Sequence, residues 1–427
     1  MLRSELFDSK IEQAFFRWYE RVCSIAEIET NKVLQWVMGA TILSYFVTFG
    51  SWISSPDMTV DVYKSGAYLC WPYFQSCGQF YFLRTLPLGY SQSFFYMAIF
   101  VTLLAAIYCM YRRDWVLAHF ALLPSFIWHF LGTFVLTMKL GGNYDYYLFI
   151  FGFTLLFLPY KEFFLKLFLV AFYFLSTFAK IHPAWVLGTY FSSLTTGLPL
   201  FPDWAIPLLT NSVIGMEMVG SWFLMSSRII PQRIAVFYAA VFHLYSGLLV
   251  QYHYPVIVLP TLLILFGPMY RYTPVPLTRR SLIGWGVLTL LFVAQLTPIL
   301  IPGDEKLTME GDRYGLYMFD SNHQCISTAH VIFKNGTSTS ERSEKKDARN
   351  RCDPHREWFQ LKTLCERDPS IDHISWTFDH SINGGPFLRI VDVPNACDLS
   401  YQPFSHNSWI NYQDPAIIGT PVENGYY

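Results

Sequence analysis

Long apolar segments are the feature that most constrains how this chain can fold. Between Val33 and Ile301 the apolar residues form blocks of roughly 18–24 residues, the length with which an α-helix crosses about 30 Å of hydrocarbon. Because lipid offers the backbone no hydrogen-bond partners, such blocks predict membrane-spanning helices, and hence a polytopic α-helical membrane protein. We predict about nine spans, near 33–54, 91–111, 115–138, 145–160, 164–181, 205–226, 232–251, 254–270 and 281–301.

Composition supports this fold class and divides the chain. Charged residues are 14% of the 427 residues, well below the value of about 25% in a soluble domain. The net charge of −1 gives no basic bias of the kind that indicates nucleic-acid binding. From Pro302 onward polar residues return, and we expect a β-rich, disulfide-bearing domain there. The predicted domains are a cytoplasmic amphipathic N-terminus at 1–32, a transmembrane domain at 33–301 and an outer domain at 302–427.

Basic residues in the short loops predict the orientation in the membrane. With nine spans and a cytoplasmic N-terminus, most Lys and Arg residues fall in cytoplasmic segments. The opposite loops within the transmembrane domain carry only Lys64, Arg84 and Lys139. Cytoplasmic loops are generally the more basic, so this arrangement predicts that residues 302–427 lie on the lumenal, periplasmic or extracellular side.

The cysteines provide an independent indication of sidedness. Cys23 and Cys109 fall on or near the predicted cytoplasmic side, where thiols stay reduced. An even number of cysteines falls on the oxidising outer side, which predicts disulfides without fixing their pairing. A bridge from the first outer loop to the C-terminal domain and separate local bridges are both open. The predicted disulfide cysteines are Cys70, Cys77, Cys325, Cys352, Cys365 and Cys397.

Ionisable residues within spans are costly in lipid and are therefore candidates for function. Lys180 ends the fifth predicted span, and a lysine in a low-dielectric site can become neutral and act as a base. The alternative is a lysine that extends to the interface. Glu217 could form a structural ion pair, and His243 could be a packing residue. Asp145 could be an ordinary helix N-cap.

The sequence contains no pattern typical of a metal site. His119 and His129 lie on the third predicted span, but their separation of ten residues places them on different helix faces. No other His, Cys, Asp or Glu spacing has the form of a metal-binding motif, and we expect no metal cofactor.

Several short motifs follow one another in the order of a known family. Within the spans these are Phe178–Val186, Phe242-His243 and Asn143–Leu148. The C-terminal domain adds Tyr314-Gly315, Ser381–Asn383, Arg389-Ile390 with Asp392, Pro403-Phe404 and Ser408-Trp409. In these motifs, from about residue 30 to 412, the chain resembles vitamin K-dependent gamma-glutamyl carboxylase and the wider horizontally transferred transmembrane domain family.

The resemblance implies an enzyme that couples oxygenation of a reduced quinone to carboxylation of glutamate side chains, a carbon–carbon lyase. Its cofactors would be reduced vitamin K or a related quinone, with O₂ and CO₂. Its partners would be the lipid bilayer, a lipophilic quinone and a peptide or protein glutamate. The implied catalytic residues are Lys180, as the base, and His243. The implied cofactor-binding residues are Asn143, Asp145, Ser246 and Glu217, and the implied substrate-binding residues are Tyr314, Tyr317, Asn383, Arg389, Asp392 and Trp409.

The chain departs from the family pattern at important positions. Asp145 stands where the family has a histidine, and Ser246 stands where an asparagine is expected. An ionised carboxylate cannot donate a hydrogen bond and would repel anions that form during this chemistry. The family's long extra C-terminal region is not expected after residue 427. A non-carboxylating membrane protein, for peptide maturation, export or lipid binding, is therefore the alternative.

Overall fold

The protein is described by a computed structural model that covers residues 10–53, 69–80, 92–135, 143–194, 197–250, 253–317, 320–345 and 352–420. The chain forms two compact units. Unit 1 comprises 1–60, 79–174 and 216–290, and unit 2 comprises 61–78, 175–215 and 291–427. The predicted domain boundaries at residues 32 and 301 are not tested by this division and stay predictions.

Unit 1 is helical in its described residues. The short α1 and α2 precede the first long apolar helix. The helices are α1 Lys10–Val22, α2 Ala26–Thr30, α3 Lys32–Ile53, α4 Gln92–Tyr111, α5 Trp115–Phe130, α6 Asn143–Phe157, α7 Lys161–Phe178, α10 Ile206–Met218, α11 Ile229–Val250, α12 His253–Phe266 and α13 Leu282–Leu300. The boundary between the units falls within α7, α10 and α13, so the C-terminal ends of α7 and α13 and most of α10 belong to unit 2.

Unit 2 combines short helices with an antiparallel sheet. Its remaining elements are α8 Pro183–Val186, α9 Thr189–Ser192, α14 Glu305–Thr308, β1 His323–Phe333, β2 Ser338–Lys345, α15 Pro354–Arg367, β3 Ile371–Ile382, β4 Phe387–Val393 and β5 Ala416–Gly419. The sheet order is β2-β1-β3-β4-β5. The β-rich, disulfide-bearing character predicted for the C-terminal region is therefore confirmed.

Three helical segments are long and apolar enough to cross a membrane: Lys32–Ile53, Trp115–Val135 and Arg279–Leu300. The apolar helices Phe95–Tyr111 and Tyr254–Phe266 are shorter. Many apolar side chains on these helices are exposed, such as Leu290 at 66% and Val101 at 58%. Exposed apolar surface of this kind is unfavourable in water and suits contact with lipid. Membrane association is thereby indicated.

The segment predicted as the sixth span is not one continuous helix. The helix α10 ends at Met218, and a 3-10 helix follows at Gly220–Met225. The third predicted span is also irregular, because α5 continues as a π-helix at Leu131–Val135. Such local changes of helix type depend on tertiary packing, and hydropathy does not report them.

The central strand pairs define the register of the sheet. Cys325 on β1 lies opposite Lys345 on β2 and His380 on β3, and Asp379 on β3 lies opposite Arg389 on β4. The edge strand β2 is almost wholly exposed and carries alternating charges, a composition that protects an edge from pairing with other chains.

Three disulfides cross-link unit 2, and one of them joins β1 to the segment before α15. The bonds are Cys70–Cys77, Cys325–Cys352 and Cys365–Cys397. All six predicted cysteines are bonded, whereas Cys23 and Cys109 are free thiols. Each bond closes within the first loop or within the C-terminal domain. The prediction of separate local bridges is therefore confirmed, and the alternative, a bridge from the first loop to the C-terminal domain, is wrong.

Candidate functional site

Lys180 lies in the turn that follows α7, in unit 2. Its backbone N–H donates to the carbonyl of Thr177 at 2.8 Å, and the whole residue is only 2% exposed to solvent. The Nζ atom lies 5.7 Å from the centre of the Trp185 ring. This cation–π distance and the burial show that the amine is shielded from solvent and has an aromatic partner.

The segment after Lys180 is held by His182, which caps α8. The His182 Nδ1 accepts a hydrogen bond from the Ala184 N–H at 3.2 Å, and Pro183 occupies the first helical position, where its missing N–H is not needed. Burial and the positive charge of Lys306 lower the pKa of His182. The family-like motif thus folds as a capped turn that positions Lys180.

His243 is completely buried in α11 of unit 1. Its Nε2 is hydrogen-bonded to the Tyr173 hydroxyl at 2.5 Å, and its ring lies 5.6 Å from that of Tyr254. The Ser246 hydroxyl donates to the carbonyl of His243 at 3.0 Å. Ser246 therefore uses its hydroxyl on its own helix, while His243 joins a cluster of aromatic hydroxyl groups.

Glu217 is 2% exposed and lies near the end of α10, in unit 1. It interacts electrostatically with Tyr173 and Tyr254, the tyrosines that flank His243. Its backbone carbonyl accepts a hydrogen bond from the Ser221 hydroxyl at 2.7 Å. Two of the predicted residues, Glu217 and His243, are therefore brought to one tyrosine cluster.

Asp145 is paired with a histidine that the sequence did not connect to it. The Asp145 Oδ1 lies 3.2 Å from His129 Nε2, and both residues are fully buried. Asn143 begins α6, so Asp145 lies inside the first turn rather than at the N-cap, and the N-cap interpretation is wrong. Within the described part of the chain the Asn143 Nδ2, Asp145 Oδ2 and His129 Nδ1 atoms have no hydrogen-bond partner.

Side chains of α3 surround this pair. The Trp52 ring stacks on the His129 ring with centroids 5.8 Å apart, and the Tyr45 ring lies 5.9 Å from it. Tyr45 reaches this position because α6 has a glycine there: a Cβ on Gly152 would lie 2.7 Å from the Tyr45 hydroxyl. Two residues after His129, at Leu131, α5 changes to its π-helix, a feature that is frequent at functional sites.

The predicted substrate residues of β4 form ion pairs. Arg389 donates from Nε and Nη2 to the two carboxylate oxygens of Asp379 at 2.8 and 3.1 Å. This bidentate hydrogen bonding raises the pKa of Arg389. Asp392 is exposed and lies 3.9 Å from Arg389. Arg389 is thus engaged within the sheet, whereas the Asp392 carboxylate is open to solvent.

Asn383 and Tyr314 hold loops in place. Asn383 has a φ of +50° after β3, and its side-chain oxygen accepts a hydrogen bond from the Asn322 N–H at 3.0 Å. The Tyr314 hydroxyl donates to the Pro403 carbonyl at 2.7 Å, and its ring stacks on Phe404 at 5.0 Å. Asn383 and Tyr314 therefore each stabilise a loop of unit 2.

Tyr317 and Trp409 are mostly buried aromatic residues. Burial and the nearby carboxylates of Glu305 and Asp320 raise the pKa of Tyr317. The Trp409 Nε1 donates to the Ser400 carbonyl at 3.0 Å, and its ring packs 5.6 Å from that of Trp376. Trp409 thus belongs to an aromatic cluster that includes Trp376 of β3.

The C-terminal domain contains a buried ion pair that sequence reasoning missed. Asp353 accepts hydrogen bonds from Arg313 Nε and Nη2 at 3.1 and 2.9 Å and caps α15 through the His355 N–H at 2.9 Å. Burial opposes ionisation of Asp353, but the Arg313 charge and these donors hold its pKa below the ordinary value. Burial lowers the pKa of His355 to about 4, so this imidazole is neutral near pH 7.

The predicted residues are thus divided between the units. Lys180 and all six predicted substrate residues belong to unit 2, whereas His243, Glu217, Ser246, Asn143 and Asp145 belong to unit 1. No group of three or more His, Cys, Asp or Glu side chains that could hold a metal ion occurs in the described ranges. No protein-family model, curated protein or solved structure matches this chain.

Proposed function

We propose that this protein is an integral membrane enzyme that resembles vitamin K-dependent gamma-glutamyl carboxylase and carboxylates glutamate side chains. The observation that carries the proposal is the position of Lys180, which is 2% exposed beside the Trp185 ring. A buried amine held beside an aromatic ring can exchange a proton with a ligand that contacts it, so Lys180 can serve as the base. Lys180 would take the proton from a hydroxyl of the reduced quinone.

Residues of unit 1 provide the apolar surfaces and the hydrogen-bonding groups that binding of a quinone requires. The buried aromatic rings of Tyr173, His243 and Tyr254 offer flat apolar surfaces and hydrogen-bonding groups. Asn143 adds an amide donor without a partner among the described residues. When bound, the reduced quinone and O₂ supply the strong base that removes the γ-proton of a glutamate, after which CO₂ is added.

The topology is part of the proposal. We place the nine predicted spans in the membrane, with the N-terminus in the cytoplasm and residues 302–427 on the lumenal, periplasmic or extracellular side. The three spanning-length helices and the exposed apolar side chains support membrane insertion. The three disulfides support an oxidising outer compartment, because cytosolic thiols are kept reduced.

The test is an assay of the full-length protein in lipid nanodiscs with reduced vitamin K, labelled bicarbonate and several glutamyl peptides. The wild-type protein should form vitamin K epoxide and fix CO₂, and Lys180→Ala should lose both activities. Lys334→Ala is the matched control, since Lys334 lies in an exposed turn, where its Nζ donates to the Pro369 carbonyl. Absence of epoxide and of fixed CO₂ in the wild-type protein would contradict the proposal.

A second candidate function is supported by the engaged substrate residues. Arg389 forms a bidentate pair with Asp379, and Trp409 and Tyr314 are used in packing. A fold that keeps these positions for its own stability suits a non-carboxylating membrane factor for peptide maturation, export or lipid binding. Co-purified lipid or peptide, identified by mass spectrometry in protein that lacks carboxylase activity, would favour this alternative.

A further inference from the structure

The His129–Asp145 pair is the most unusual polar feature of unit 1. Both side chains are fully buried, and each retains one atom without a hydrogen-bond partner among the described residues, His129 Nδ1 and Asp145 Oδ2. Buried polar atoms are almost always hydrogen-bonded in proteins, and exceptions call for an explanation such as a catalytic role. No element of the proposed function so far uses His129.

Hydrogen-bonding chemistry determines which imidazole nitrogen carries the proton. An ionised carboxylate only accepts hydrogen bonds, so the Asp145 Oδ1 requires N–H at His129 Nε2. In a neutral imidazole the other nitrogen then has a free lone pair. Asp145 therefore leaves His129 Nδ1 as an acceptor, which is the arrangement that makes histidine a general base.

Further polar atoms gather on the same helix faces. Trp52 stacks on the His129 ring, and Tyr45 and Thr48 lie on the same side of α3 at helical spacing. Ser125 lies one turn before His129 on α5. The Trp52 Nε1, Tyr45 Oη, Thr48 Oγ1 and Ser125 Oγ atoms are buried and unpartnered in the described part of the chain. The helix that contacts the His129 ring and the helix that carries it, α3 and α5, thus both contribute buried polar atoms near the pair.

We propose that His129 is a proton acceptor for an ionisable hydroxyl of a bound ring compound, and that Asp145 is its positioning residue. The choice of a hydroquinone as that compound rests on the proposed carboxylase function, in which Lys180 takes the proton of one hydroxyl and His129 that of the other. The pair itself rests on the geometry of unit 1. The pair also reduces the repulsion of anions that was expected from the Asp145 carboxylate. Its carboxylate does not stand alone, because protonation of His129 creates a neighbouring positive charge that offsets it.

The step is a simple proton transfer. The ligand O–H bond breaks, its electron pair stays on the oxygen as an oxyanion, and the proton bonds to His129 Nδ1. The imidazolium then carries N–H at both nitrogens, with Nε2–H still bound to the Asp145 carboxylate. The unpartnered Trp52 and Ser125 donors are groups of the kind that stabilise an oxyanion.

The first test compares two histidines of the same helix. His129→Gln keeps a polar side chain beside Asp145 but cannot take the proton, and its rate of quinone epoxidation in nanodiscs should fall by about 10²- to 10⁴-fold, the usual contribution of a general base. The matched control is His119→Gln. His119 is equally buried, but both of its ring nitrogens are bonded, to the Tyr19 hydroxyl at 2.6 Å and the Leu156 carbonyl at 2.9 Å. Its rate and pH profile should stay near wild type.

The pH profile separates a positioning role from a merely structural one. In Asp145→Asn the amide can donate to Nε2, which moves the imidazole proton to Nδ1 and removes the base. We expect Asp145→Asn to lose the acidic limb of the pH–rate profile, as in His129→Gln, while the melting temperature stays near that of the wild-type protein. A wild-type profile and a rate within about threefold in both variants would overturn the proposal.

NMR of the His129 ring nitrogens tests this proposal without relying on activity. It therefore separates an error about His129 from an error about the carboxylase function. In ¹⁵N-histidine-labelled protein in nanodiscs, the His129 signals are identified by their loss in His129→Gln. We expect Nε2 protonated and Nδ1 unprotonated at neutral pH, and a change at Nδ1 on addition of phenol as the probe. This result with an inactive wild-type protein would reject only the carboxylase. A protonated Nδ1, or no response to phenol, would reject the proton-acceptor role of His129.

Discussion

The buried Arg313–Asp353 pair provides the sharpest stability prediction. In Asp353→Asn the side-chain oxygen can still accept from the His355 N–H, so the cap of α15 is retained. The carboxylate charge is lost, and the Arg313 side chain, which is 8% exposed, keeps the more distant carboxylate of Asp312, 3.8 Å from its Nε. Breaking a buried ion pair in this way costs about 3–5 kcal/mol.

Hydrogen exchange of the full-length protein measures this cost locally. If the amides of α15 exchange through opening of the C-terminal domain, a loss of about 3–5 kcal/mol raises their exchange rate by about 100-fold to a few thousand-fold, at about 1.4 kcal/mol per factor of ten. Asp392→Asn is the matched control, because the Asp392 side chain is 69% exposed and 3.9 Å from Arg389. Its exchange should be unchanged.

A double variant tests the physical cause. Arg313→Gln combined with Asp353→Asn removes both charges of this pair, although the buried Asp312 then loses its neighbour Arg313, and part of the protection of α15 should return. If Asp353→Asn alone changes the exchange of α15 by less than about threefold, the pair does not stabilise the domain and the reasoning is refuted.

Three further predictions follow from individual residues. Burial lowers the pKa of His355 in the folded protein from 6.5 to about 4, so between these pH values the unfolded chain binds one proton more than the folded chain. The free energy of unfolding should therefore fall by about 3 kcal/mol as the pH drops through this range. An equal dependence of the unfolding free energy on pH in His355→Phe would contradict this. Gly152→Ala should lower the melting temperature through overlap with the Tyr45 hydroxyl, at about 1–3 kcal/mol, whereas Gly286→Ala, with open space around its Cβ, should not. In a glycosylating host, the wild-type protein should carry one glycan more than Asn335→Gln, as shown by electrophoresis, and equal mobility would contradict the outer placement of the C-terminal domain.

Hydropathy and cysteine content predicted the coarse fold because they are local properties. Long apolar blocks became helices, and all six cysteines assigned to the outer side became disulfides. The break after Met218 and the π-helix at Leu131–Val135 escaped prediction, since both depend on how neighbouring helices pack. The number of spans and the orientation stay predictions.

The candidate site was harder to predict because its contacts join distant residues. Asp145 was singled out as an ionisable residue in a span, but its partner His129 was considered only for a metal pair with His119. Their positions along the two helices did not point to the pair either, because His129 lies six residues before Val135 whereas Asp145 lies two residues after Asn143. For Arg389, motif similarity suggested a binding role, and only the sheet register revealed its bond to Asp379.

The disulfide connectivity also has a consequence for biosynthesis. In chain order, the three bonds join the first bonded cysteine to the second, the third to the fourth and the fifth to the sixth, over separations of 7, 27 and 32 residues. During synthesis from the N-terminus, each pair is therefore complete before the next cysteine emerges. Oxidation in order of emergence gives the native pairing directly, and no bond has to be broken and exchanged on the way to the finished protein.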